Sequence, residues 1–259
     1  MHSRRRYLRQ SRGLTTATAL TTVLSVLLAV AGCSGSSLGT DHDRRSGTIR
    51  IGLLIPQSGV YKVYGPEIKD GLQLYLDTHG GKLGGHPVTV TVADEGDGKQ
   101  TAVNSGKRLI QSDHVDVLVG TTTVDSLLGL QSMLAEAKIP FVGTGGRAST
   151  LKDVSRIWHT SWLSREPGAA IADYLRTTVN GPVYAIGPDY QGGWDQVGGF
   201  TEAFTAAGGK LANDGGKTAW TPWPGTTNYL PYINKIAASD AKAVYAFYAG
   251  AAATAFVQQ

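Results

Sequence analysis

Cysteine is almost missing from this sequence. Its 259 residues hold one, Cys33, so no disulfide can form within a single chain and no Cys-x-x-Cys motif exists. The six histidines (His2, His42, His79, His86, His114 and His159) show no metal-ligand spacing. Neither His-Glu-x-x-His nor Gly-x4-Gly-Lys-Ser/Thr occurs, which excludes the usual zinc-protease helix and phosphate loop. GGKLGGHP (80–87) is rich in glycine, but it follows a helical pattern and leads into a strand, the reverse of a phosphate loop, and reads as a turn. Acid is absent before Asp41. The apolar run VLSVLLAVA (23–31) is too short to span a hydrocarbon core of roughly 30 Å.

What stands ahead of that run gives it a meaning. Arg4, Arg5, Arg6, Arg9 and Arg12 make a basic segment, followed by the apolar run and small residues, which together describe an export signal. Val30-Ala31-Gly32-Cys33 resembles the lipobox of bacterial lipoproteins. That resemblance implies cleavage before Cys33, lipid on its sulfur and amine, and anchoring to the outer face of the cell membrane. The plain alternative for Cys33 is an unpaired thiol in a leader. Ser3–Arg9 resembles the twin-arginine export motif, with Tyr7 and Arg9 at its Phe and Lys positions; the general export route stays open. Residues 1–32 are therefore set aside as a signal, and 33–46 (CSGSSLGTDHDRRS) read as a flexible tether. The full chain carries 24 Lys+Arg against 20 Asp+Glu; without the five leader arginines the balance is 19 to 20. The basic character belongs to the signal, and no nucleic-acid partner is indicated.

From Thr48 onward strands and helices alternate. Thr48–Ile55, Val88–Ala93, Val115–Val119 and Ile139–Val142 read as strands. Gly65–His79, Thr101–Ser112 and Asp125–Ala137 read as helices, the first with Ile68, Leu72, Tyr75 and Leu76 on one face. After a break near Ala148–Ser161 the pattern resumes. Glu166–Val179, Trp194–Ala207 and Asn228–Ala238 are helical, Pro182–Gly187 and Ala243–Tyr248 are strands, and Lys210–Trp220 is extended. Such alternation implies βαβ units and parallel sheets. We read two α/β lobes, 47–160 and 161–259. The second lobe looks incomplete, and the chain is expected to be a fragment lacking C-terminal units.

Several segments, in order, resemble type I extracytoplasmic solute-binding proteins of ABC transporters, the branched-chain amino-acid-binding group. They are TIRIGLLIPQSGVYKVYGPEIKDGLQLYLD, GGKLGGHPVTVTVADEGDGKQTAVNSGKRLI, VDVLVGTTTVDS, AKIPFVGTGG, WHTSWLSREPGAAIADYL and GPDYQGGWDQVGGFTEAF. The resemblance implies two doubly wound lobes joined by three crossings, with ligand held between them. It also implies ABC permease subunits as partners, a monomeric carrier and no cofactor.

Ligands of open α/β sheets bind beyond the carboxyl ends of strands. In the first such loop, PQSGVYKVY, Tyr64 matches a pocket position of the family; otherwise it is a surface aromatic. In GTTTVD (120–125), hydroxyls and amides at a helix start form a carboxylate cradle, with Thr122 and Thr123 as candidates; the family spacing falls on Thr123 or Val124, and Thr123 is preferred because Val124 has no side-chain donor. Plain N-capping by a Thr or by Asp125 is the alternative. In GTGGRAS (143–149) the family pattern falls on Gly145 and Arg147. Arg147 stands where the family has Thr, and its guanidinium offers a fork to a carboxylate; a solvated or salt-bridged arginine is the alternative. In the second lobe Tyr190 matches a pocket aromatic, and Trp162 stacks nearby. The family's amino-acid binders carry an acid after the strand equivalent to Ala243–Tyr248, paired with the ligand ammonium. Here that loop is YAGAAATAF. Either the ligand has no ammonium, or Asp125 or Asp189 replaces the missing acid. The reading favours a carboxylate ligand with an apolar or aromatic body over a leucine-like amino acid.

Two rivals remain. Gly143-x-Gly145-x-x-Ala148 fits a dinucleotide fingerprint, but it sits on the fourth strand rather than the first. A sensing receptor of the same fold would share the cleft. The expectation is a non-enzymatic, extracytoplasmic binding lipoprotein with no catalytic or metal site.

Overall fold

In a computed structural model, residues 47–259 are described; the signal and the whole tether, Cys33 included, lie outside them. Residues 48–259 form one compact unit that contains two sheets.

The chain builds β1 (Ile49–Ile55), α1 (Tyr64–Thr78), β2 (Lys82–Leu83), β3 (His86–Asp94), α2 (Lys99–Gln111), β4 (Val117–Gly120), α3 (Val124–Ala137), β5 (Phe141–Gly143) and β6 (Ile157–His159). It continues with α4 (Glu166–Thr178), β7 (Val183–Pro188), α5 (Gln191–Ala206), β8 (Ala219–Thr221), α6 (Leu230–Ala237), β9 (Ala243–Ala246) and α7 (Gly250–Gln258).

The first sheet has the order β2-β3-β1-β4-β5-β6, and every pairing except the short antiparallel β2–β3 hairpin is parallel. β1 is central because both its faces are covered: from Ile51 to Ile55 it is continuously buried. The second sheet has the order β8-β7-β9, again parallel, with β7 central and buried throughout. In both, the chain lays a second strand on one side of the first and then a third on the other. That reversal opens a crevice beside β1 and beside β7 at the strands' carboxyl ends.

Leu54, Leu109, Leu118, Leu127, Leu130 and Phe141 form the core around the first sheet. Val183, Ala185, Val197, Phe200 and Phe204 form that of the second. A third cluster draws on both halves: Val124 and Ala148 from the first, Tyr190, Trp223 and Phe247 from the second.

The structure alters several expected elements. The GGKLGG turn is a hairpin, pairing Lys82 with Pro87 and Leu83 with His86. The break at 148–161 contains β6, paired in register with β5. The extended stretch 210–220 is a bridge at Leu211, a 3-10 turn at Asp214–Gly216 and then β8. Tyr75 does not join a buried face; it is exposed and stacks on His79, ring centroids 3.9 Å apart.

Candidate functional site

Two strand–loop–helix units with the same local solution frame the crevice. After β1, a side chain on Gly65 would collide with the Pro56 carbonyl; after β7, one on Gly193 would collide with the Pro188 carbonyl. Glycine in the first turn lets each helix sit against the end of its strand. This brings Tyr61, before α1, against Tyr190, before α5. Both are buried, and their hydroxyls are 2.7 Å apart. Trp223 stacks on Tyr190 (4.6 Å, 20°) and lies 5.5 Å from Tyr61. Burial raises the pKa of both phenols; the bond to Tyr190 partly offsets the rise at Tyr61.

The loop after β4 turns through Gly120 (φ 129°) and Thr121 (φ 58°), a left-handed conformation uncommon outside glycine. The turn aims the next two amides at Glu95, just past the end of β3. Thr122 N–H donates to Glu95 Oε2 at 2.7 Å and Thr123 N–H to Oε1 at 2.8 Å, with the Thr123 hydroxyl donating to Oε1 at 3.1 Å. Glu95 is fully buried. Burial lifts its carboxyl above the ordinary range, against the pull of these donors. The expected anion cradle therefore exists, but the protein's own carboxylate fills it.

At the next turn a cavity of about 370 Å³ opens, within the size range of small-molecule sites. Loops from both halves wall it. Tyr61, Tyr64, Glu67 and Ile68 come from the first strand–helix unit, Thr122 and Val124 from the loop after β4, and Thr144, Gly145 and Gly146 from the loop after β5. Trp162 and Ser164 come from the segment entering α4, Tyr190, Gly192 and Gln196 from the start of α5, and Phe247 and Ala249 from the loop after β9. The Thr122 hydroxyl oxygen is buried without a hydrogen-bond partner. Val124 opens α3, where first-turn amides have no intrahelical acceptor. Gly145 is fixed by closeness: a Cβ there would strike the Thr121 and Thr122 carbonyls, and its N–H donates to Thr121 O at 2.9 Å. Trp162 is 54% exposed at the mouth.

Of the sequence candidates, the structure brings Tyr64, Thr122, Gly145, Trp162 and Tyr190 together around this cavity. Thr123 and Arg147 are not in its wall. Thr123 caps α3 instead, accepting from Ser126 N–H at 3.2 Å, with the Ser126 hydroxyl oxygen 2.7 Å from its own. Arg147 spends its backbone on the crossing between the halves. Its N–H donates to Trp162 O (3.0 Å), and its carbonyl accepts from Ser164 N–H (2.8 Å). Its side chain is not among those that line the cavity. Nor do the two proposed substitute acids reach the wall. Neither Asp125 nor Asp189 is among the residues that line it, and Asp189 accepts Trp194 Nε1 at 2.8 Å.

Sequence reasoning set Val124 aside for want of a side-chain donor, and missed Glu67, Ser164, Gln196, Phe247 and the buried Glu95. Glu95 had a signal: ADEGD follows β3, another carboxyl-end loop, and it was not counted among them. Among the described residues no three His, Cys, Asp or Glu side chains gather as a metal set, and no helix is long and apolar enough to cross a membrane.

An aromatic-walled crevice at the strand ends of two parallel sheets, with loops from both contributing, defines a two-lobed small-molecule binding fold. The chain belongs to the periplasmic binding protein family, whose sequence profile matches residues 48–259. It has the type I periplasmic binding protein fold. It is 27% identical over 205 residues to a Leu/Ile/Val-binding protein homolog of Brucella abortus, a match covering 77% of this chain and 50% of that protein. The chain thus spans about half the length of the curated relatives it matches. Among solved structures, a solute-binding protein of an ABC transporter from R. palustris, in complex with benzoate, is 28% identical with a TM-score of 0.75, covering 82% of this chain and 58% of that one. A second from R. palustris, in complex with 4-hydroxybenzoate, is 27% identical with a TM-score of 0.70, covering 82% and 57%. A leucine-binding protein from Thermotoga maritima shares the fold (19% identity, TM-score 0.66, covering 76% and 55%).

Proposed function

We propose that this protein is the extracytoplasmic solute-capturing component of an ABC importer. It is tethered by lipid on Cys33, acts as a monomer, and hands its cargo unaltered to permease subunits. The cargo is a small carboxylate-bearing solute with an apolar or aromatic body. The carrying observation is the cavity itself: aromatic rings from both halves surround a Thr122 hydroxyl that has no partner, beside the first turn of α3. A hydroxyl and helix-start amides suit one carboxylate, and rings suit a flat apolar body. The benzoate and 4-hydroxybenzoate held by the two R. palustris relatives agree with that chemistry.

Capture requires no covalent step, only closure of the halves over the ligand. Micromolar affinity corresponds to about −8 kcal/mol. Thermal unfolding of the mature protein against amino acids, aromatic acids and short amides tests the reading. A ligand at 100 times its Kd adds about 2.7 kcal/mol of stability; a panel with no shift contradicts it. The anchor is tested separately. Cys33→Ala should release the protein from the membrane fraction, since two or more acyl chains are what make attachment stable. Continued retention of the variant would count against lipid on Cys33.

A further inference from the structure

The one charged residue in the cavity wall is an acid. Glu67, in the first turn of α1, is the only ionisable acid or base among its wall residues apart from the tyrosines; no Lys, Arg or His lines it. The ion pairs among the described residues are Arg50–Asp116, Arg108–Asp113, Arg165–Glu202 and Arg176–Asp173, and Glu67 is in none of them. Behind the wall stand further acids. Glu95 lies under the Thr122 amide, its carboxyl 2.7 Å from that N–H. Asp125 sits half-buried at the same seam, near Asp195 and Lys99. The two positions that could have paired a cationic ligand group from the second half are spent: the loop after β9 has no acid, and Asp189 holds Trp194.

Aromatic faces and an unpaired carboxylate in one cavity favour positive charge, the faces through their quadrupoles and the carboxylate directly. We propose that Glu67 is a specificity-determining residue, the counter-charge for a cationic nitrogen on the ligand, so that the cleft selects a zwitterionic or amine-bearing solute over a simple acid. This rests on the reading of the cavity as the solute site and sharpens its cargo. The sequence reading offered Asp125 or Asp189 as the ammonium's partner; in this proposal α1 supplies it through Glu67.

The test is calorimetry on the full mature protein with matched probes that differ in one group: phenylalanine, 3-phenylpropanoate and phenethylamine, with leucine and 4-methylpentanoate as an aliphatic pair. Variants are Glu67→Gln and, as a control removing the same charge far from the cavity, Glu136→Gln at the exposed end of α3. In the wild type and the control, a probe with the amine should bind at least about tenfold tighter than its partner without it. Glu67→Gln should bring the two within about threefold, leaving the acid's own affinity in place. Acids binding as tightly as their amino counterparts, or a preference that survives Glu67→Gln, would overturn the proposal while leaving the solute site standing. Binding of phenethylamine alone, lost in Glu67→Gln, would uphold Glu67 and remove the carboxylate from the cargo. If no probe binds, both readings fall.

Discussion

Glu95 is the residue whose removal should say most about how the cleft floor is held. Its buried carboxylate accepts the part-buried Thr122 amide at 2.7 Å, the buried Thr123 amide at 2.8 Å and the Thr123 hydroxyl at 3.1 Å. Glu95→Ala strands these two N–H groups at about 1–3 kcal/mol each. The Thr123 hydroxyl keeps Ser126. Relief of a desolvated charge offsets part of the loss, so a net cost of about 2–4 kcal/mol is expected. For a body of this size each kcal/mol moves Tm by about 2–4 °C, placing the variant roughly 4–16 °C below wild type. Glu95→Gln keeps the shape but presents an NH2 where Thr122 N–H needs an acceptor, costing about 1–3 kcal/mol. The pH dependence has a fixed sign. Because burial raises the folded-state pKa of Glu95, its titration contributes stability that is fully present below the unfolded value and lost as pH rises through the folded one. The margin of wild type over Glu95→Gln should therefore narrow with rising pH across that window. Urea unfolding between pH 4 and pH 8 reads both quantities. A Glu95→Ala within about 0.5 kcal/mol of wild type, or a margin that widens with pH, refutes the reasoning.

Other consequences follow from the same geometry. Tyr61→Phe leaves the Tyr190 hydroxyl buried and unpaired and should cost about 1–3 kcal/mol, while the double Phe variant recovers part of it; urea midpoints of the three decide. Asp94 ties the β1–α1 loop down through Gln57 N–H (2.8 Å) and the Ser58 hydroxyl (2.6 Å). Partial burial pushes its pKa up, but these bonds and the Ser58 and Gly96 amides bring it below the ordinary value. Its stabilisation is thus present above the unfolded pKa and lost as pH falls through the folded one. Asp94→Asn should cost about 1 kcal/mol or less near neutrality, given its exposure, and nothing in acid, as acid-unfolding curves will show. Gly145→Ala should weaken binding of any cavity ligand by about tenfold or more, because the loop after β5 must move off the Thr121 and Thr122 carbonyls; calorimetry measures it.

The fold was legible because parallel strands buried on both faces read as apolar runs, and IRIGLLI and VYAIG stand out as such. What escaped was short or glycine-bearing. β6 is three residues whose pairing depends on β5 across a long loop, a register no local pattern carries. α5 begins at Gln191 rather than Trp194 because Gly192 and Gly193 look like a turn, yet Gly193 is what lets the helix meet the strand end. Strand-end loops are where the sequence points, and five of the seven residues it names line the cavity. Spacing could not tell which way a loop residue faces. Thr123 and Arg147 are one turn or one strand step from the wall, and the left-handed Thr121 decides which amides meet Glu95.

A crystal structure of the mature protein grown with the tightest ligand of the solute panel would test the central claim most directly. The account predicts one intact small molecule in the cavity between Tyr64, Trp162 and Tyr190, with a carboxylate oxygen within hydrogen-bond distance of the Thr122 hydroxyl. A ligand seated elsewhere, or one found chemically altered, would contradict it.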